Sequence, residues 1–364
     1  MNILFISSIE IWGGGEVWLM DIMKGLKDRE HAVSLLCRPN TELARNAQAL
    51  GFDVITIRIG GDLDPFVIWK ARRLMKQKNI QVICTNMDKD LRFGGIAAKL
   101  ARVPGVVPSR EIDYPIKERL RYRFAYNNLA TKIVFNSVAT QRTVLNSAPW
   151  LDKGRTTVIY KGIDISKYDN VPRGSLRKEL ELSEDASIVT FVGRLDERKG
   201  IRYLLEAWKV VHERHPDAIL LLVGKGKMQS EIEEFISTHN LASSVILAGF
   251  RTDVPSILLQ SSMLALPSLW EGFGYVLVET MAARIPTVAT ATSSIPEIVE
   301  DKQSGILVEP KNAVALAEAI SYLLLNPARG KEMGLRGRQI VEERFTLSRM
   351  IDEFERVFLT EAGK

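Results

Sequence analysis

The sequence predicts an α/β protein of two domains, each built on a parallel sheet with helices on both faces. Short apolar runs alternate with amphipathic stretches along the chain, the pattern left by strands joined through crossover helices. A length of 364 residues exceeds one average core and suits two domains. The alternation breaks once, near Tyr160-Lys161-Gly162-Ile163-Asp164. A polar connector with Pro172 and Gly174 follows, and the alternation then resumes.

In the first half, residues 2–7, 32–37, 54–57, 81–84, 106–108 and 132–135 read as strands. Open sheets of this kind bind ligands at the carboxyl ends of their strands, so the segments just past them matter most. The first strand ends at Ser8, and Trp12-Gly13-Gly14-Gly15-Glu16 leads into a helix from about Val17. Such a glycine run serves as a phosphate-approach loop or as a plain flexible connection. It lacks the Gly-x-Gly-x-x-Gly spacing of a dinucleotide-binding turn. Asp64-Pro65 marks a helix start, with Asp as N-cap and Pro in the first position. The helix over residues 66–78 sets Lys70, Arg72, Arg73, Lys76 and Lys78 around an apolar side of Val67, Ala71, Leu74 and Met75. A second basic segment, residues 117–123, follows Pro115. Each segment reads as an interfacial surface for anionic lipid or as a solvated helix face. Ser109-Arg110-Glu111-Ile112-Asp113 lies just past the fifth strand.

The second half repeats the scheme, with strands expected at 187–192, 218–223, 245–248, 263–266, 287–289 and 306–308. His212-Glu213-Arg214-His215 has the wrong spacing for a zinc-protease helix, and Pro216 marks it as a helix end. Residues 347–360 carry Met350, Ile351, Phe354, Val357 and Phe358 at helical spacing, an apolar stripe that needs a surface to bury it.

Hydrophobic residues at 46% and charged residues at 26% are ordinary for a soluble globular chain. Cys37 and Cys84 each fall at the end of an apolar run, so buried free thiols in a reducing compartment are expected and no disulfide framework exists. The run Ile3-Leu4-Phe5-Ile6 is too short for a signal-peptide core, and no stretch reads as a transmembrane helix. The net charge of +5 conceals an asymmetry: residues 1–167 carry 26 basic and 16 acidic side chains, the remainder 23 and 28. A basic first half suits an anionic lipid surface or a phosphorylated acceptor. Nucleic acid is not expected as a partner, because no recognised module or aromatic-basic ladder is present.

The stretch richest in chemistry is Glu271-Gly272-Phe273-Gly274-Tyr275-Val276-Leu277-Val278-Glu279. Residues 263–267 read as a strand and 275–284 as a helix, so a Gly-punctuated turn delivers the amides of Phe273, Gly274 and Tyr275 to a helix N-terminus. That is an anion seat. Glu271 and Glu279 bracket it, and two carboxylates beside an anion seat call for a ligand that also has hydroxyl donors. A glycosidase pair would need carboxyls about 5–5.5 Å apart, and eight residues of helix span roughly 12 Å, so the two are expected to work on different parts of one ligand. The bland alternative is a helix-terminal Glu and an unrelated Glu on a turn. Arg194 follows the strand ending at Val192-Gly193, with Lys199 five residues later; such a pair suits a diphosphate, or is a plain surface pair in a charge-rich neighbourhood.

Glu271-x7-Glu279 with Glu-Gly-Phe-Gly inside it resembles the signature of the retaining, nucleotide-sugar-dependent glycosyltransferases of family 4. Gly193-Arg194-Leu195-Asp196-Glu197-Arg198-Lys199-Gly200, Val223-Gly224-Lys225-Gly226, Gly249-Phe250, Ile295-Pro296-Glu297-Ile298-Val299 and Gly305-Ile306-Leu307-Val308 agree with it. The likeness is specific over about residues 187–345 and looser before. It implies the GT-B fold: two Rossmann-like domains facing a cleft, here residues 1–165 and 166–345, with residues 346–364 as a helix crossing back to the first domain. The activity it implies is transfer of a hexose-type sugar from a nucleoside diphosphate to a hydroxyl.

By the same resemblance Arg194 and Lys199 hold the pyrophosphate, Glu271 contacts the transferred sugar, and Glu279 accepts from the ribose. Gly272, Phe273 and Gly274 bind sugar or phosphate, and Gly14 and Gly15 approach the donor phosphates. The base is expected near Lys225 or Arg251. Members often carry a His after the fifth strand; here the histidines are His31, His212, His215 and His239, so Arg110, Glu111 or Asp113 is left for the acceptor side. The cationic pair already supplies positive charge, so neither a metal nor another cofactor is expected. A cell-envelope glycan or lipid-linked precursor is the expected acceptor, at a cytoplasmic site with peripheral contact to the inner membrane face. Competing readings are a nucleotide-sugar epimerase, a glycosyl phosphorylase, or a catalytically silent scaffold of the same fold.

Overall fold

The computed structural model describes residues 1–10, 13–61, 63–169, 171 and 176–363. Trp12 of the glycine loop and Pro172 and Gly174 of the connector lie outside them. The chain forms two compact units, one of residues 1–161 with 347–364 and the other of residues 162–346.

The first unit is a seven-stranded sheet of order β3-β2-β1-β4-β5-β6-β7. Its strands are β1 (Asn2–Ser7), β2 (Ala32–Cys37), β3 (Asp53–Thr56), β4 (Val82–Thr85), β5 (Gly105–Arg110), β6 (Ile133–Phe135) and β7 (Thr156–Val158). All pair in parallel, with Phe5 of β1 facing Leu35 of β2 on one side and Cys84 of β4 on the other. Successive side chains of β1 go to opposite faces: Leu4 and Ile6 join the core under helices Pro65–Gln77 and Asp88–Ala101, Ile3 and Phe5 the core under helix Gly14–Asp28. Burial on both faces is why these strands are continuous apolar runs. Both cysteines are buried and free.

Two expectations need correction here. The sheet has a seventh strand, because Thr156-Thr157-Val158 is a half-buried edge whose composition carries no strong apolar signal. The first helix starts at Gly14, not Val17: the amides of Glu16 and Val17 both reach the Gly13 carbonyl, at 3.1 and 3.2 Å, and close the turn around the glycines. Other strand ends agree to within one or two residues.

Helix Leu347–Glu361 belongs to this first unit. Its stripe buries Met350, Ile351, Phe354 and Phe358, with the Phe354 ring 5.6 Å from Trp18 and the Phe358 ring 6.1 Å from Phe5. Arg29 and His31 secure its polar side through Asp352 and Glu355. The C-terminal segment thus crosses back to the N-terminal sheet, as the resemblance implied.

The second unit is a six-stranded parallel sheet of order β10-β9-β8-β11-β12-β13. These strands are β8 (Ile188–Val192), β9 (Ile219–Val223), β10 (Val245–Gly249), β11 (Met263–Leu266), β12 (Thr287–Thr290) and β13 (Gly305–Val308). The chain runs outward from β8 to β10 and then restarts beside β8 with β11, which creates a topological switch point between β8 and β11. Among the described residues no helix is long and apolar enough to cross a membrane.

Candidate functional site

Three loops meet at the carboxyl ends of β8, β11 and β12, at the switch point of the second sheet. The Leu269 N–H donates to the Arg198 carbonyl at 2.7 Å, joining the loop after β11 to the loop after β8. Thr292 donates to the Leu269 carbonyl at 3.3 Å and Ser294 to the Glu271 carbonyl at 3.4 Å, adding the loop after β12. Gly200 is required at this junction. It sits at φ +67°, and a Cβ there would enter the Pro267 carbonyl. Val223-Gly224-Lys225-Gly226 supports the same junction from β9: Leu195 N–H donates to the Lys225 carbonyl at 3.0 Å and Met228 N–H to that of Leu195 at 3.1 Å.

At the centre, Lys199 Nζ lies 2.5 Å from Glu271 Oε2. Ser268 Oγ donates to the same oxygen at 3.2 Å, and the Glu271 N–H reaches Ser293 Oγ at 3.4 Å. The side chains are 19% and 13% exposed, so each charge would be costly here without the other. Two residues expected to act on different parts of a donor are thus in direct contact in the ligand-free chain. Arg194 is different: 63% exposed, it has among the described residues one ion pair, to Asp196 at 3.1 Å. Its guanidinium can swing to an incoming anion at little cost.

Past Glu271 the chain turns through Gly274 (φ +83°, ψ +51°) into helix Tyr275–Ala282. The left-handed conformation explains the glycine, and the turn sets a helix N-terminus beside the Lys199–Glu271 pair. Phe273 is buried, its ring edge-on to Phe345 at 6.0 Å, so its side chain anchors the turn. Glu279, on the second turn of the helix, is half-buried and accepts from Tyr168 Oη at 3.0 Å. Burial, then the Glu279 charge, pushes the Tyr168 phenol well above its ordinary range, so it stays a donor. Glu271 and Glu279 therefore have separate partners. Lys225 is exposed. Arg251 is committed to Asp253, both contacts at 2.8 Å, and to Glu179.

In the first unit Gly14 and Gly15 form the opening turn of a helix, and a Cβ at either would meet no atom within 4 Å. Among the described residues, packing within this unit does not demand glycine there. Arg110 is engaged on three sides, with Asp88 at 3.0 Å, Tyr126 Oη at 3.2 Å and the Tyr114 carbonyl at 2.7 Å. Glu111 pairs with Lys161 at 2.8 Å and accepts from Ser109 at 2.5 Å. Asp113 is buried. A cavity of about 370 Å³ opens beside this network, walled by Asn86, Asp88, Arg110, Tyr114, Tyr122 and Tyr126 among others. Burial raises the Glu16 carboxyl above its ordinary value and pushes Asp90 up to about 7, against the Ser8 hydrogen bonds that lower it.

The sequence contains two Asp-x-Asp triplets, Asp62-Leu63-Asp64 and Asp88-Lys89-Asp90, that could offer paired carboxylates to a metal. Their described carboxylates have protein partners: Asp64 caps a helix through the Phe66 N–H at 2.9 Å, Asp88 accepts from Tyr126 at 2.5 Å, and Asp90 accepts from the Ser8 N–H at 3.1 Å. Among the described residues no three His, Cys, Asp or Glu side chains gather as a metal would require.

Sequence reasoning missed Tyr168, Ser268, Asp88 and Tyr126. Ser268 and Asp88 stand two and three residues past strand ends, so the carboxyl-end rule could have found them. Tyr168 lies 111 positions from Glu279, and nothing local announces that contact.

Residues 172–340 match the profile of the group 1 glycosyl transferases, and residues 12–167 that of glycosyltransferase family 4. The UDP-Gal:alpha-D-GlcNAc-diphosphoundecaprenol alpha-1,3-galactosyltransferase of Escherichia coli is 28% identical over 252 residues, 65% of this chain and 64% of its own length. The N-acetyl-alpha-D-glucosaminyl L-malate synthase of Bacillus anthracis is 28% identical over 223 residues, 60% of this chain and 58% of its own. The chain therefore matches less than two thirds of these curated relatives. Anabaena HepE in complex with UDP-glucose superposes with a TM-score of 0.86 at 25% identity, over 99% of this chain and 100% of that one. With both halves matched and two parallel-sheet units in hand, the chain belongs to the group 1, family 4 glycosyltransferases of the GT-B fold.

Proposed function

We propose that this protein transfers a hexose-type sugar from a nucleoside diphosphate to a hydroxyl acceptor, with retention of anomeric configuration and without a metal. The observation that carries the reading is the switch-point cluster, where Arg194, the Lys199–Glu271 pair and a helix N-terminus converge. As the sugar–phosphate bond breaks, negative charge grows on the diphosphate. Lys199 and Arg194 are the cations to meet it, and stabilising a leaving group in this way lowers the barrier to transfer.

The diphosphate would compete with Glu271 for Lys199 and so release the carboxylate. Glu271 then faces the electron-poor sugar carbon. Glu279, already an acceptor for Tyr168, would accept from ribose hydroxyls. The departing phosphate oxygen takes the acceptor proton, so one glycosidic bond forms as one breaks on the same face.

The UDP-glucose complex of Anabaena HepE supports a nucleotide-sugar donor. The diphosphoundecaprenol in the name of the E. coli relative supports a lipid-linked or envelope-glycan acceptor, which would place the enzyme at the cytoplasmic membrane face. Thermal stabilisation across a panel of UDP- and other nucleotide-sugars tests the donor, since a ligand that binds only the folded state raises the apparent melting temperature. An inverted product linkage by NMR would exclude retention, and activity abolished by EDTA and restored by manganese would exclude metal independence.

A further inference from the structure

Helix Pro65–Gln77 turns Val67, Ala71 and Met75 into the core. Its outer face, at the same helical spacing, presents Phe66, Trp69, Lys70 and Arg73. A solvated face would be polar throughout, yet Phe66 is 59% and Trp69 49% exposed. Their rings stack at 6.4 Å, with Lys70 Nζ 4.3 Å above Phe66 and the Arg73 guanidinium 5.7 Å from Trp69. Leu63, one residue before the N-cap, is exposed as well. The helix carries four cations and no acid.

A second segment has the same character. Leu120 is 85% exposed and Phe124 is exposed, set among Lys117, Arg119, Arg121 and Arg123 with only Glu118 opposing. Helix Asp88–Ala101 connects the two. Helix Pro65–Gln77 packs on it, Arg72 Nε donates to the Leu100 carbonyl at 3.3 Å, and Arg92 stacks over Tyr122 at 4.9 Å.

Aromatic rings with cations around them, and an aliphatic side chain projecting among arginines, match the two layers of a bilayer surface. Rings and Leu side chains enter the level of the headgroups while ammonium and guanidinium groups meet lipid phosphates. We propose that these two segments of the first unit dock on an anionic lipid bilayer. An acidic protein surface would use the cations, but it would gain nothing from scattered apolar groups standing this far into solvent. The inference deepens the lipid-linked acceptor reading by naming where the membrane sits, and its geometry is independent of the donor site.

The test is co-sedimentation of the full chain with phosphatidylglycerol vesicles and with phosphatidylcholine vesicles. Binding to the anionic vesicles should exceed binding to the neutral ones at least tenfold and fall as salt is raised. Lys70→Gln and Arg73→Gln should each weaken it about fivefold. Phe66→Ser with Trp69→Ser should weaken it tenfold or more without lowering the melting temperature. Equal partition into both vesicle types, no partition at all, or variants that bind like wild type would overturn the proposal. UDP binding by the same samples separates the two readings. A chain that binds UDP but not vesicles loses the surface alone, and one that binds vesicles but not UDP loses the transferase reading alone.

Discussion

If the Lys199–Glu271 pair is the switch of the donor site, its two halves should fail in different ways. An exposed ion pair contributes about 0.2–1 kcal/mol, and stranding one member of a buried pair costs about 3–5 kcal/mol. With side chains 19% and 13% exposed and a contact of 2.5 Å, this pair lies towards the buried limit. Lys199→Met leaves Glu271 with the Ser268 hydroxyl as its remaining side-chain donor, so about 2–4 kcal/mol should be lost, roughly 5–15 °C in melting temperature. Glu271→Gln keeps an oxygen for both donors but leaves the Lys199 ammonium without its counter-charge, so a smaller loss of about 1–3 kcal/mol is expected.

Ligand behaviour should run the other way. Lys199→Met removes a charge-assisted contact and should weaken UDP about 10- to 100-fold. Glu271→Gln removes the negative charge that competes with phosphate for Lys199, so UDP should bind as tightly as to wild type or more tightly, while turnover drops about 10²- to 10³-fold. Calorimetric titration with UDP, denaturation midpoints and sugar-transfer rates read the three effects. The reasoning fails if Lys199→Met binds UDP normally, or if Glu271→Gln turns over at the wild-type rate.

Further outcomes follow from other sites. Gly200→Ala, with φ +67° and the Pro267 carbonyl in the path of the new Cβ, should cost about 3 kcal/mol in urea denaturation; an unchanged midpoint would contradict the tight junction of the two loops. Asp90, pushed up to about 7 by burial against roughly 3.9 when unfolded, keeps a proton that the unfolded chain has lost, so its contribution to stability declines as pH rises through that window. Asp90→Asn can still accept from Ser8 and should be more stable than wild type by roughly 2–4 kcal/mol near pH 8 but equal near pH 4; equal loss at both values would refute this. Burial pushes the Cys37 thiol up to about 11 and Cys84 higher still, so neither should react quickly with a disulfide reagent near pH 8 until the protein is unfolded.

The fold was readable because parallel strands covered on both faces must be apolar along their length. Runs such as Ile3 to Ile6 or Leu220 to Val223 have no other soluble use. Thr156-Thr157-Val158 escaped notice because an edge strand exposed on one side need not be apolar. The glycine run hid a helix start because three glycines argue for a loop until one asks which carbonyl their neighbours' amides can reach. For the candidate site, chain position past a strand end singled out Arg194, Lys199 and Glu271 separately as candidates. Their meeting could not be read, since Lys199 and Glu271 are 72 residues apart and only the order β8-β11 brings their loops together. Arg110 ends β5, and its ties to Asp88, Tyr126 and the Tyr114 carbonyl depend on a cavity wall that no linear pattern reveals.

The most direct measurement is a crystal structure of the chain with an intact nucleotide-sugar. The diphosphate should lie at the carboxyl ends of β8 and β11, with Lys199 Nζ moved from Glu271 onto a phosphate oxygen, Arg194 beside it and the ribose on Glu279. A diphosphate bound elsewhere, with the Lys199–Glu271 contact unchanged, would contradict the account.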